Sequence, residues 1–228
     1  MSSSSRTRFD QELTDLAHNL LVMGSAVEQQ IRDAVTCLVN HDLKLAEQVI
    51  QNDDIVDHYH HQIEDESIRL FATQQPVASD LRTITTALKI IVDLERISDY
   101  AENIAQTAAR LEDPSLLTPL ADIPQMAQIA QTMLRDVLQA YVNRDISLAE
   151  EVYQTDDSVD QRYRNVFDTL RHLMESDPRN VYQGMELLLV ARYLERIADH
   201  ITNVADWVIY MVSGTHRRNH KNNGKAEA

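Results

Sequence analysis

Apolar residues recur along this chain at alternating spacings of three and four. They fall at Ala87, Ile90, Leu94, Ile97, Ala101, Ile104, Ala108 and Leu111, and again at Leu187, Val190, Leu194, Ile197, Ile201, Val204, Val208 and Met211. Such a stripe is the buried face of an amphipathic helix and the seam of a helical bundle. Pro76 and Pro178 each follow a long periodic segment, while Pro114, Pro119 and Pro124 crowd into "DPSLLTPLADIP". Proline lacks the backbone donor that a helix interior needs, so these positions are boundaries. The pattern predicts helices from Phe9 to Asn40, Asp42 to Thr73, Val77 to Leu111, Pro124 to Asn143, Asp145 to Met174 and Arg179 to Val212, with the proline-rich stretch as a linker.

The pattern also repeats. "NHDLKLAEQVIQNDDIVD" from Asn40 lies over "NRDISLAEEVYQTDDSVD" from Asn143 at an offset of 103 residues. Farther on, Leu94, Glu95, Arg96, Ile97, Asp99 and Asn103 lie over Leu194, Glu195, Arg196, Ile197, Asp199 and Asn203 at an offset of 100. Asp42 and Asp145 stand where an N-cap would accept from the first free N–H groups of the following helix. The expected fold is all-α: six long antiparallel helices forming two tandem three-helix bundles related by an internal repeat. The first would cover residues 1–118 and the second 119–228, with a disordered polar tail from about 213. Helices of roughly 30 residues would be rods about 45 Å long.

Composition agrees, since 4 Gly and 5 Pro among 228 residues supply too little turn chemistry for a sheet protein. Thirty-six acidic against 21 basic residues give a net charge of −15, which repels phosphate backbones and disfavours nucleic acid as a partner. The one basic-biased segment is "GTHRRNHKNNGKAEA" from Gly214. Cys37 is alone, so no intrachain disulfide can form, and it reads as a buried structural thiol. No window approaches the 18 to 20 apolar residues of a membrane span, and the N-terminal stretch has no apolar signal core. A cytoplasmic protein without membrane insertion is expected.

Glu95 and Asp99, four apart on one helix, project from the same face, and Glu195 and Asp199 repeat the arrangement. Like charges at this spacing cost a few tenths of a kcal/mol, a repulsion that a cation would relieve. Carboxylate oxygens suit hard cations better than soft ones. The alternative reading is that Arg96 and Arg196, each three residues from an aspartate, neutralise the pairs in weak surface networks. A second cluster, Asp54, His58, His61 and Asp65, also shares a helical face but has no counterpart in the second half. No nucleophile triad, glycine-rich phosphate loop or Glu-x-x-His pattern is present, and His200, five residues from Glu195, reads as a polar neighbour of Asp199.

The segment "QQPVASDLRTITTALKIIVDLERISDYAENI", from Gln74 to Ile104, resembles the signature of the PhoU family of phosphate-uptake regulators. The likeness covers nearly the whole chain, including both "LERIxD" helices. It implies an adapter, not an enzyme: a homodimer that damps the phosphate-starvation response by linking the ATPase subunit of a phosphate ABC transporter to a sensor histidine kinase. It also implies metal clusters on the ExxxD motifs, here Glu95, Asp99, Glu195 and Asp199, with Asn103 and Asn203 assisting; Mg, Mn, Fe or Zn would be the metal. Asp80, Arg82, Arg96 and Arg196 are candidates for partner binding. The second half has "DPRNVYQGMELLL" where the first has "QPVASDLRTITTAL", so any role of Asp80 or Arg82 is confined to the first half. A strongly acidic chain without a cradle of backbone N–H groups is poorly suited to hold a bare phosphate, which would need a bridging metal. The competing reading is a metal-dependent hydrolase or metal-storage bundle that uses the same carboxylates.

Overall fold

The computed structural model describes residues 3–74, 76–111 and 121–217, with side chains from residue 6 onward. The helices are α1 (Ser3–Asn40), α2 (Leu43–Gln51), α3 (Asp53–Gln74), α4 (Ala78–Arg110), α5 (Asp122–Asn143), α6 (Ile146–Ser176) and α7 (Val181–Ser213), with a 3-10 turn at Pro178–Asn180 before α7. Among the described residues there is no strand. Residues 113–120 of the predicted linker lie outside them, while its last residues, Asp122 to Pro124, already belong to α5.

Both expected N-caps form. The Asp42 carboxylate accepts from the Lys44 and Leu45 amides at 3.1 Å, and that of Asp145 accepts from the Leu148 amide at 3.1 Å. The residue before each cap is left-handed, His41 at φ 51° and Arg144 at φ 54°, so the repeat preserves even its corner conformation. Most boundaries fall within two residues of expectation, and two features differ by more. Helix α1 begins at Ser3 rather than near Phe9, and the helix expected from Asp42 to Thr73 is broken at Asn52 into α2 and α3. Asn52 ends α2 with its N–H on the Gln48 carbonyl. Asp53 and Asp54 then occupy the first turn of α3, where negative charge is favoured. The equivalent α6 runs through unbroken.

The third helices of the two repeats, α4 and α7, run antiparallel and pack extensively along the seam between the repeats. Arg110 meets Glu186 at 2.9 Å, Tyr100 stacks on Tyr193, His200 meets Asp93, and Arg82 donates to the Met211 carbonyl at 3.3 Å. Helices α1, α4, α7 and α5 form a ring of neighbours; α2 and α3 pack against α1 and α4, and α6 against α5 and α7. Both predicted seams are buried, with Leu94, Ile97, Leu194 and Ile197 fully so, and they belong to one apolar core spanning both repeats. Gly24 marks the close approach of α1 to α5, because a Cβ there would overlap Leu138.

Residues 214–217, expected to belong to a loose tail, are packed. Gly214 closes α7 in the left-handed conformation. His216 then stacks on Tyr210 with ring centroids 4.4 Å apart, sets its edge to Trp207, and brings Nδ1 to 2.6 Å from Asp206. The Arg217 guanidinium covers the Tyr153 ring of α6 at 4.0 Å. Polar composition gave no hint of this, because the anchoring groups are aromatic rings on other elements.

Candidate functional site: two carboxylate faces and the seam between them

Each ExxxD pair lies on the third helix of its repeat, beside carboxylates from the second. In the first repeat, Glu95 and Asp99 on α4 stand near Asp53, Asp57 and His60 on α3, with Glu102 one turn on. Burial holds the Asp99 carboxyl above the usual carboxylate range, and Asp53 and Asp57 add to the effect. Burial likewise raises Glu102, helped by Asp53, Asp99 and Asp57. His60 Nε2 lies 3.6 Å from Glu95 Oε2. In the second repeat, Glu195 and Asp199 on α7 stand near Asp160 on α6. Burial is the main cause that raises the Glu195 carboxyl and the Asp199 charge the next, and Glu195 Oε2 is buried without a hydrogen-bond partner among the described residues.

Arginines answer part of this charge, as the alternative reading of the spacing supposes. Arg96 reaches Asp99 at 3.0 Å, Arg196 reaches Asp199 at 3.3 Å, and Arg192 reaches Glu195 at 2.7 Å. All three arginines are exposed, so each pair contributes about 0–1 kcal/mol. An excess of carboxylate oxygen, one of it orphaned, is a donor set whose chemistry fits a hard cation. Among the described residues, however, no group of three or more His, Cys, Asp or Glu side chains is arranged as a ready cage.

The two faces are not copies. Ser98, buried, hydrogen-bonds both Gln30 and Asp53, the latter at 2.6 Å. The corresponding residues of the second repeat are Met133, Ala198 and Asp156, and Tyr163 stands where His60 would be. The first face thus carries an imidazole and a serine–glutamine support that the second does not repeat, although Asp156 is itself buried.

The other predicted residues are placed differently. Asn103 donates to the Asp99 carbonyl of its own helix at 2.7 Å. Asn203 reaches across the seam to Asp93 Oδ1 at 3.3 Å, and His200, expected beside Asp199, binds the same oxygen at 2.8 Å through Nδ1. Periodicity assigned His200 to its own helix face; the antiparallel seam brings it to Asp93 instead. Asp80 is buried and paired with Arg6 at 2.9 Å, and Arg82 is engaged with α7, so both secure this end of the molecule. Arg96 and Arg196 remain at the surface. Asp54, His58, His61 and Asp65 line the exposed side of α3. Cys37 is buried, its Sγ on the Ala34 carbonyl, and burial pushes the thiol up to about 11, out of nucleophilic range. Sequence reasoning missed Asp53, Asp57, His60 and Asp160; the repeated "DDxVD" at offset 103 was the signal that could have found three of them.

The raised carboxyls give stability a definite pH dependence. For Asp99, Glu102 and Glu195 the folded state binds a proton more readily than the unfolded chain, so their contribution improves as pH falls from above their raised values toward the ordinary carboxylate range. Glu195→Gln is expected to melt slightly above the parent at neutral pH, by the few tenths of a kcal/mol typical of relieved like-charge contacts, with the advantage shrinking toward about pH 4.5. Paired melting curves across that range check this; an advantage that grows on acidification would contradict it.

Comparison with known proteins follows the same outline. Residues 20–108 and 123–208 each match the PhoU domain. The phosphate-specific transport system accessory protein PhoU homolog of Clostridium acetobutylicum is 41% identical over 210 residues, 92% of this chain and 96% of that protein. The PhoU of Escherichia coli K12 is 35% identical over 91% of this chain and 86% of its own length. The crystal structure of PhoU from Pseudomonas aeruginosa superposes with a TM-score of 0.81 at 37% identity, covering 91% of this chain and all of that one. That of the phosphate transport system regulatory protein PhoU from Streptococcus pneumoniae gives 0.84 at 29% identity, over 92% and 99%. Two domain matches that fall on the two repeats, with relatives similar over nearly the whole length, place the chain in the PhoU family.

Proposed function

We propose that this chain is a regulatory accessory protein of phosphate-specific transport, working as a cytoplasmic adapter rather than as an enzyme. Its partners would be the ATPase subunit of a phosphate ABC transporter and a sensor histidine kinase, with the adapter itself a homodimer. The observation that carries this reading is the pair of carboxylate faces, one per repeat, on a rigid helical frame. Glu95 and Asp99 with Asp53 and Asp57, and Glu195 and Asp199 with Asp160, would hold divalent or trivalent cations there. A bound cation would neutralise the faces and set their charge toward a partner. Val181, Tyr182, Met185 and Leu189 on α7 are also exposed, an apolar strip of the kind that marks protein contacts. Among the described residues no helix is long and apolar enough to cross a membrane.

The test is to supply the chain to cells lacking their own such regulator, read a phosphate-starvation reporter, and ask whether the purified chain captures the transporter ATPase subunit and the kinase. Restored repression with capture of both is the expected result. Phosphoester turnover by metal-loaded protein, lost on Glu95→Ala, with no repression, would replace the adapter reading with the hydrolase one.

A further inference from the structure

Where α1, α4, α5 and α7 meet at one end of the molecule lies a cleft of about 390 Å³ whose lining includes Arg6, Asp10, Asp80, Thr83, Tyr141 and Arg144. Tyr141 is 4% exposed, and its hydroxyl is buried with no hydrogen-bond partner among the described residues. Burial pushes the phenol up to about 12, partly offset by the Arg144 charge, so at neutral pH it is a donor that lacks an acceptor. Arg144 donates through Nη2 to Thr83 Oγ1 at 3.2 Å, and among the described residues no carboxylate pairs with it. It keeps further N–H groups to give. Asp10 and Asp80 border the cleft too, but Arg6 spans them, with Nε 3.0 Å from Asp10 and Nη1 2.9 Å from Asp80.

The chain sets these groups deliberately in register. Tyr141 lies on the last turn of α5, and Arg144 follows in the left-handed corner between α5 and the Asp145 cap of α6. Helix α5 therefore holds the Tyr141 ring, and the exposed Arg144 side chain is steadied by its bond to Thr83. At the matching corner of the first repeat the residues are Leu38 and His41, so the arrangement is not inherited from the repeat. Unanswered donors of this kind, one a guanidinium fork, match the oxygens of a compact anion. We propose that this cleft binds a small oxyanion, held by the Tyr141 hydroxyl and the Arg144 guanidinium, with Arg6 screening Asp10 and Asp80. The site lies apart from the carboxylate faces and does not rest on the regulatory reading. It would give the metal-free chain an anion affinity that composition and backbone pattern alone argue against.

The full chain is melted in the presence of a chelator with about 20 mM inorganic phosphate, or acetate, or chloride at equal ionic strength, alongside Tyr141→Phe and Arg144→Gln. With a Kd of about 5 mM, phosphate should raise the midpoint of the parent by about 2–4 °C over chloride, and both variants should lose most of that rise. Phosphate also strengthens apolar burial in any protein, but that part is common to all three proteins and cancels. A rise with phosphate alone identifies a tetrahedral anion; an equal, variant-sensitive rise with acetate identifies a carboxylate. Tyr141→Phe keeps the shape of the ring, so it guards against loss of folding as the cause. Equal rises in all three proteins, or none in the parent, overturn the site and leave the cleft to water.

Discussion

Replacing Glu95, Asp99, Glu195 and Asp199 together with alanine is expected to release a phosphate-starvation reporter to the level of cells without the protein, while far-ultraviolet circular dichroism stays unchanged. The fold should survive because none of the four belongs to the apolar core. Alanine is the best helix former, and each replacement removes a like-charge contact. The partners left behind, Arg96, Arg192 and Arg196, are exposed and regain water. Nothing of comparable size is lost, so a change in the reporter would come from the surface and not from unfolding. Cation uptake, measured on parent and variant, should be lower in the variant. Full repression by the variant would move the working surface away from these faces, toward the exposed strip on α7.

Leu94→Ala and Leu194→Ala should each destabilise the protein by about 2–5 kcal/mol, the range for deleting a buried leucine from a core that relaxes only partly. Each leucine is fully buried and adjoins a motif glutamate, one on α4 and the other on α7. For a chain of this length, 1 kcal/mol corresponds to about 2–4 °C, so midpoints should fall by roughly 4–20 °C. The shape of the transition matters as much as its position. Because one apolar core joins both repeats, either variant should lower a single transition in calorimetry. A trace that splits, with only the mutated half shifted, would show that the repeats melt as separate units. A loss below about 1 kcal/mol would mean the seam is packed more loosely than its burial indicates.

How much of this was legible in the sequence depended on whether a feature was local. The seams of α4 and α7 and the caps at Asp42 and Asp145 rest on spacing within one helix or one turn, the duplication on two such stretches read side by side, and all are found in the structure. The break at Asn52 was not legible, because "QNDDIVD" and "QTDDSVD" differ little and only the first interrupts its helix. The ExxxD pairs were visible as helical spacing, but the company they keep was not. Asp53, Asp57 and His60 come from α3, and the periodicity of α4 carries no information about which turn of α3 lies opposite. The same reason hid the His200–Asp93 contact, formed across 107 residues of chain. Tyr141 fitted the apolar face of α5 so well that its hydroxyl drew no notice.

The packed end of α7 carries a practical consequence. Trp207 is the single tryptophan of the chain, and His216 sets its ring 4.8 Å from that indole. The emission of one fluorophore therefore reads the docking of residues 214–217 without any label, and a binding partner that lifts them from Tyr153 and Tyr210 would announce itself as a change of colour.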